Sequence, residues 1–310
     1  MKKKLFLIDA YTILYQGYYA LIKKPLFTSN GLNTSPIINF TYFLIHTLNE
    51  EKPSYMSVIF DHSQKNTFRK KEYHPYKANR KKTPKDIYIS IPYIKKILKS
   101  FKISFFHAKE GYEADDLIGT IAKKAEKKGY IIYIISLDKD FFQLITKNIQ
   151  IYRPPFKGNP KKILGIDEIK EKFGINKPKQ IIDLWSMMGD SSDNIPGLPG
   201  IGEKNAIKFI KKYGSIENFL KSTHDLSGKM KKNIEKNKEL GFLSKRLATI
   251  VTNIPLVSFQ EKKFYIKTPQ WNSIKKIFCQ LEFKRLLKSA YKYFIYKKKE
   301  NANTKWDNKN

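Results

Sequence analysis

Three short stretches of this sequence are almost continuously apolar rather than alternating: Lys4 to Asp9, Met56 to Asp61, and Tyr130 to Asp138. A strand covered by helices on both faces reads this way, whereas a strand with one wet face alternates. Each stretch ends in aspartate. Between them the period lengthens to that of a helix, over Ile37 to Asn49, Ile87 to Phe101 and Asp115 to Lys128. In the last of these, Leu117, Ile118, Ile121, Ala122 and Ala125 make one apolar face. Strands alternating with helices predict βαβ units and an α/β fold on a parallel sheet. Ligands of such sheets bind at the carboxyl ends of the strands, where all three aspartates fall.

After Pro154-Pro155 and the turn Gly158-Asn159-Pro160 the strand signals fade, and helical patterns run from Asp167 to about Ala290. The expected division is an α/β catalytic domain over 1–175, a helical domain over 176–296, and a basic tail over 297–310, rich in Lys and Asn and read as frayed. Inside the helical part, Ile195-Pro196-Gly197-Leu198-Pro199-Gly200-Ile201-Gly202 punctuates two helices with a tight turn.

The 310 residues carry 60 Lys+Arg against 28 Asp+Glu, a formal +32. This excludes a neutral enzyme that meets only uncharged metabolites and points to a polyanionic partner. Only Arg69, Arg80, Arg153, Arg246 and Arg285 are arginine, and the lysines accompany abundant Ile, Asn, Tyr and Phe, all residues with AT-rich codons. The position of the charge therefore says more than its amount. Cys279 is the single cysteine, which excludes internal disulfides and cysteine zinc sites and fits a reducing compartment. No stretch has the length of a membrane span, and Leu5-Phe6-Leu7-Ile8 is too short for a signal-peptide core, so a cytoplasmic protein is expected.

Against this background the acids stand out. Gly111 to Asp116 places Glu113, Asp115 and Asp116 at a helix start, Asp138 and Asp140 follow a strand, and Asp190 and Asp193 precede the glycine turn. With Asp9 and Asp61 these are nine carboxylates, and the strand-end argument brings at least four into one cleft, where they would repel. Divalent cations relieve that repulsion, and oxygen donors without His or Cys favour magnesium or manganese over zinc. Helix capping explains Glu113, Asp115 and Asp116 taken alone, and a solvated turn explains Asp138 and Asp140. Neither explains the acidic segments jointly. His62, beside Asp61, is read as a polar rim residue rather than a base.

The segment from Lys65 to Lys85 interleaves Arg69, Lys70, Lys71, Lys77, Arg80, Lys81 and Lys82 with Phe68, Tyr73 and Tyr76. Cations hold phosphates and rings stack on unpaired bases, the pairing expected of single-strand binding. In the turn Gly197 to Gly202, glycines let backbone approach a phosphate and the next helix points its free N–H groups at it.

These residues carry a resemblance. Phe60-Asp61, Thr67-Phe68-Arg69, Tyr76-Lys77-Ala78-Asn79-Arg80, Gly111 to Gly119, Asp138-Lys139-Asp140, Met188 to Gly202 with Glu203-Lys204, and Phe283-Lys284-Arg285 together resemble the 5′ nuclease domain of bacterial DNA polymerase I, in the flap-endonuclease family. Nearly the whole chain is covered. The resemblance implies a PIN-like parallel-sheet nuclease with a helix-hairpin-helix extension, acting as a two-metal 5′ to 3′ exonuclease and flap endonuclease in primer removal and DNA repair. It groups Asp9, Asp61, Glu113 and Asp115, with Asp116 nearby, around a first Mg2+, and Asp138, Asp140, Asp190 and Asp193 around a second, with Mn2+ as a substitute. It makes 65–90 an arch with Lys77 and Arg80 near the scissile phosphate and Arg69 and Tyr76 on DNA. It puts Gly197, Gly200, Gly202 and Lys204 on the duplex backbone, with a K+ ion at that turn. The implied partners are DNA with 5′ single-stranded ends, flaps or nicks, RNA-DNA primer junctions, and a separate DNA polymerase, since nothing follows residue 310.

Two positions depart from the family pattern: Ala10 stands where glycine is usual and Gln16 where an arginine is usual. A cationic contact near the metals is then missing. The rival readings are a catalytically silent DNA-binding protein of the same fold and an RNA-directed nuclease. The first is disfavoured because a binder of polyanions gains nothing from concentrated negative charge.

Overall fold

The computed structural model describes residues 2–62, 66–155 and 159–307, with side chains as far as residue 300. The expected turn at Gly158 and the position Lys65 lie outside the described residues. The strands are β1 (Lys4–Asp9), β2 (Tyr55–Phe60), β3 (Ser104–His107), β4 (Ile131–Ile135), β5 (Ile149–Arg153) and β6 (Lys162–Leu164). Helices α1 (Ala10–Ala20), α2 (Ser35–Glu51), α3 (Phe68–Glu72), α4 (Lys85–Ser100) and α5 (Ala114–Lys127) are interleaved with the first strands. Helices α6 (Ile166–Phe173), α7 (Gln180–Met188), α8 (Glu203–Tyr213), α9 (Ile216–Lys221), α10 (Gly228–Lys236), α11 (Lys238–Ala248), α12 (Glu261–Phe264), α13 (Trp271–Gln280) and α14 (Lys284–Asp307) follow.

The sheet order is β3-β2-β1-β4-β5-β6, parallel except for β6. β1 lies in the middle, and its Leu5, Phe6, Leu7 and Ile8 are all buried because both faces of the sheet are covered. Alternate residues leave opposite faces. Leu5 and Leu7 enter a core shared with α5 and with the helices from α6 to α11, whereas Phe6 and Ile8 enter a second core built with α1, α2, α4, α13 and α14. Truncating one of these side chains, as in Leu7→Ala, would cost about 2–5 kcal/mol.

The winding reverses between β1 and β4, and a crevice opens at such a switch point outside the carboxyl ends of the strands. Asp9 sits opposite Ile59, and Ile8 opposite Ile135, so the chain segments bearing Asp9, Asp61 and Asp138 leave the sheet at one edge.

Several elements differ from the sequence expectation. β4 stops at Ile135, and Asp138 instead caps a 3-10 turn at Lys139–Leu144. β3, β5 and β6 carried no continuous apolar stretch, since β3 is only partly buried and β5 alternates. The helices of the second half divide between the faces: α7 to α11 lie on the α5 side, while α13 and α14 return to pack on α4 and α2. The tail expected to fray from Lys297 continues α14 as far as Asp307, and residues 308–310 lie outside the described residues. Lys297 itself is buried, its ammonium 5.3 Å from the Tyr265 ring centre, and the anchoring of Tyr293 one turn earlier explains why the helix persists. Among the described residues no helix is long and apolar enough to cross a membrane.

Candidate active site

Asp9 closes β1 and caps α1. Its Oδ1 accepts the amide of Tyr11 at 3.1 Å, and its Oδ2 accepts the hydroxyls of Thr12 and, at 3.0 Å, Ser136. Burial pushes Asp9 up to about 6, with the charges of Asp61 and Asp138 adding and the Thr12 hydrogen bond opposing. Asp61 Oδ1 accepts the amide of Ala114 at 2.8 Å, tying the end of β2 to the start of α5. In the first turn of α5, burial and the charges of Asp138 and Asp9 hold Asp115 well above its ordinary value. Asp138 accepts the amide of Asp140 at 2.9 Å. Burial and the neighbouring Asp138, Asp193 and Asp190 push Asp140 up to about 8, and its Oδ1 is buried without a hydrogen-bond partner.

The arch cations lie on these acids. Lys77 Nζ is 2.8 Å from Glu113 Oε1 and 3.6 Å from Asp193 Oδ2, and Arg80 pairs with Asp193 Oδ1. Burial would raise Glu113, but Lys77 and Arg69 outweigh it and bring the carboxyl to about 2. Backbone contacts reinforce the docking. The Lys77 amide donates to Asp193 O at 2.8 Å from a left-handed conformation (φ 54°), Asn79 donates to Ser191 O, and Asn194, also left-handed, donates to Pro75 O. Asp190 accepts from the Ser192 hydroxyl and amide and pairs with Lys139 at 3.0 Å, and these bonds bring it below its ordinary value against the effect of burial.

Three expected site residues have other partners. Arg69 is only 2% exposed and spends its guanidinium on the protein: Asp116 Oδ2 at 2.8 Å and Oδ1 at 2.7 Å, Glu113 Oε2 at 3.1 Å, and the carbonyls of Leu247 and Thr249. It is therefore not a DNA contact. Asp116 is fully buried, its two oxygens taken by Arg69, the Glu113 amide and the Val251 amide, so it is a structural partner rather than a metal ligand. Tyr76, 3% exposed, donates to Glu113 Oε2 at 3.0 Å and cannot stack on a base.

A cleft of about 810 Å³ joins these parts. Asp9, Asp61, Glu113, Asp115 and Asp138 form its floor, and Lys77, Arg80, Lys81 and Lys82 one wall. The sequence reading missed the aromatic side of the cleft, with Tyr11, Tyr15 and Tyr19 along α1, although their spacing of four residues was visible. Gln16 also lines the cleft, its Nε2 buried without a hydrogen-bond partner, and Ala10 is buried.

The glycine turn divides by role. Gly197 is buried against Gly189, where a Cβ would stand 2.4 Å from the Gly189 amide nitrogen, and its own amide donates to Ser244 Oγ at 2.9 Å. Close backbone packing, not phosphate approach, requires that glycine. Gly200, Gly202 and Lys204 are exposed at the start of α8, with Gly202 as its cap.

As the side chains lie, no three of these groups among the described residues converge closely enough to hold a metal ion, and Lys77 and Arg80 occupy Glu113 and Asp193. The donor set nevertheless fits a hard divalent cation. Its members are carboxylate oxygens, Asp140 Oδ1 lacks any partner, and burial together with the charge of neighbouring acids holds Asp9, Asp115 and Asp140 above their ordinary values.

Residues 4–174 match the model of the 5′-3′ exonuclease N-terminal resolvase-like domain, and residues 176–272 that of the 5′-3′ exonuclease C-terminal SAM fold. The chain belongs to the 5′-3′ exonuclease family. It is 35% identical to the 5′-3′ exonuclease of Aquifex aeolicus over 94% of this chain and 96% of that protein. It is 41% identical to DNA polymerase I of Bacillus subtilis over 82% of this chain but 28% of the polymerase, so it spans about a third of the length of the polymerase relatives it matches. Among solved structures, phage T5 5′-exonuclease with bound zinc shares the fold at a TM-score of 0.66 and 22% identity, covering 81% of this chain and 90% of that one. A T5 D15 flap endonuclease complex with DNA and metal ions superposes at 0.64 with 21% identity over the same shares. The doubly wound sheet and the helices after it are thus those of a 5′-3′ exonuclease.

Proposed function

We propose that this chain is a divalent-metal-dependent 5′ to 3′ exonuclease and flap endonuclease that hydrolyses DNA phosphodiesters at 5′ flaps, nicks and primer junctions. One observation carries the reading: carboxylates from separate segments meet the arch cations Lys77 and Arg80 in a single cleft at the sheet's switch point. Asp9, Asp61, Glu113 and Asp115 would hold one Mg2+, and Asp138, Asp140, Asp190 and Asp193 a second, with Asp116 removed from the set. When bound, the ions supply an activated water and charge neutralisation at the phosphate.

The protein's own residues do the rest. Lys77 and Arg80 exchange Glu113 and Asp193 for the scissile phosphate, which frees those carboxylates for ligation and draws the phosphate to them. The Tyr11, Tyr15 and Tyr19 side of the cleft excludes water. Gly200, Gly202 and Lys204 would receive a duplex phosphate at the α8 N-terminus, where a K+ ion would supply further positive charge, and would give no sequence readout. Synthesis after cleavage falls to a DNA polymerase.

The test is cleavage of 5′-labelled flap, nicked duplex and RNA-primed duplex with magnesium or EDTA. Magnesium-dependent release of 5′ fragments supports the reading. Binding without cleavage would instead establish the silent DNA-binding alternative, and cleavage confined to RNA strands would establish the RNA-directed one.

A further inference from the structure

The end of α11 and the chain leaving it form a strap, residues 247–251, that is anchored beside both groups of acids. Gln143 lies on the 3-10 turn that Asp138 caps, three residues beyond Asp140, and is 7% exposed. Its Nε2 donates to Ala248 O at 3.0 Å and its Oε1 accepts the Ile250 amide at 2.9 Å. On the other side Arg69 donates to Leu247 O at 2.9 Å and to Thr249 O at 2.6 Å, and Asp116 accepts the Val251 amide at 2.8 Å. Leu247 and Ala248, the last residues of α11, and Thr249, its extended cap, give carbonyls, while Ile250 and Val251 give amides, so that Leu247, Thr249 and Val251 serve Arg69 and Asp116 and Ala248 and Ile250 serve Gln143.

The sheet cannot do this job. It fixes Asp9 on β1, but Asp138 and Asp140 lie past the end of β4 on a turn of their own, while Asp115 rides on α5. Those acids repel one another, so a separate element has to oppose their drift apart. The strap is rigid enough: it packs so closely on α5 that a Cβ at Gly119 would come within 2.8 Å of the Ile250 side chain.

We infer that the strap 247–251 is the gauge that sets the separation between the Glu113–Asp115 group and the Asp138–Asp140 group, with Gln143 as a positioning residue acting through the turn that carries Asp138 and Asp140. The inference rests on the reading of these carboxylates as cation ligands. A side chain that orients ligands through a hydrogen bond is worth about 10- to 100-fold in metal affinity or activity.

The experiment compares Gln143→Ala with Thr41→Val in the full chain. Thr41 is also buried, but its hydroxyl bonds only Ile37 O, at 2.7 Å within α2, and so supports neither the strap nor an acid-bearing element. Calorimetric Mn2+ titration, single-turnover cleavage of a 5′ flap and flap affinity are measured below the melting temperature of each variant. Gln143→Ala should weaken Mn2+ binding or lower the cleavage rate by about 10- to 100-fold with flap affinity nearly unchanged. Thr41→Val should leave Mn2+ binding and cleavage rate at wild-type values. Gln143→Met, which keeps the volume, serves if the alanine variant does not fold. A folded Gln143 variant with wild-type Mn2+ binding and rate overturns the gauge. Wild-type protein that binds Mn2+ without cleaving refutes the nuclease reading, and the calorimetry then decides the gauge alone; wild-type protein that binds no Mn2+ refutes both.

Discussion

Arg69 illustrates what a single residue's type does not tell. An arginine in a basic, aromatic segment reads as a phosphate contact, yet all its N–H groups are spent on Asp116, Glu113 and two carbonyls. Removing one partner of a buried pair leaves an uncompensated charge and costs about 3–5 kcal/mol. Arg69→Met should therefore lower the melting temperature steeply while the folded fraction keeps its DNA affinity; denaturation and binding curves check this, and lost affinity at unchanged stability contradicts it. Lys77 makes the opposite case. Composition alone would make it one more surface lysine, but it sits on Glu113 and Asp193. Lys77→Ala should lose more single-turnover rate than flap affinity, because the phosphate contact proposed for it would mature in the transition state, whereas the exposed Lys298→Ala should change neither. Equal, small, salt-sensitive losses in both would reduce the arch to a charged surface.

Among the elements, what was legible in the sequence was what depends on short-range pattern. Continuous apolar stretches located β1, β2 and β4, and the strand-end rule then gathered Asp9, Asp61 and Asp138 at one edge. What was hidden depends on tertiary partners. β3 has no apolar run to announce it, the return of α13 and α14 to the far face leaves no local mark, and the commitment of Asp116 follows from an arginine 47 positions away. The 3-10 turn capped by Asp138 was similarly invisible, though its acids were not. If that turn and α5 present ligands from two elements, Asp138→Asn and Asp115→Asn should each lower magnesium-dependent cleavage by about 10²- to 10³-fold, the loss of several kcal/mol of charge stabilisation, with circular dichroism unchanged. Near wild-type rates in both variants would remove these acids from the site.

The whole molecule holds a concentrated acidic cleft inside a chain of net charge +32, and its stability should show that tension. Asp9 near 6 and Asp140 near 8 lie above the ordinary 3.8, so the native state keeps protons that the unfolded chain releases. The stability these protons provide is present at acid pH and is lost as pH rises through about 6 for Asp9 and about 8 for Asp140. Glu113 works in the opposite direction, but only below about 4.5, where its stabilisation fades toward 2. In EDTA the melting temperature should thus fall between pH 5 and pH 8, and added Mg2+ should reverse the fall if, as proposed, it binds only the folded cleft. A melting temperature that climbs over that range in EDTA, or ignores magnesium, contradicts the charge balance described for the cleft.

The central claim is that the carboxylates do chemistry while the basic surface and the α8 turn do the binding. It is tested most directly by single-turnover cleavage and equilibrium binding on one 5′-labelled flap, for wild type with Mg2+, wild type with EDTA, and Asp138→Asn with Mg2+. Expected are rapid fragment release in the first case, none with EDTA, release about 10²- to 10³-fold slower for Asp138→Asn, and comparable, salt-dependent affinity in all three. Cleavage that survives EDTA or Asp138→Asn at the wild-type rate, or no cleavage by the wild type despite tight binding, would contradict it.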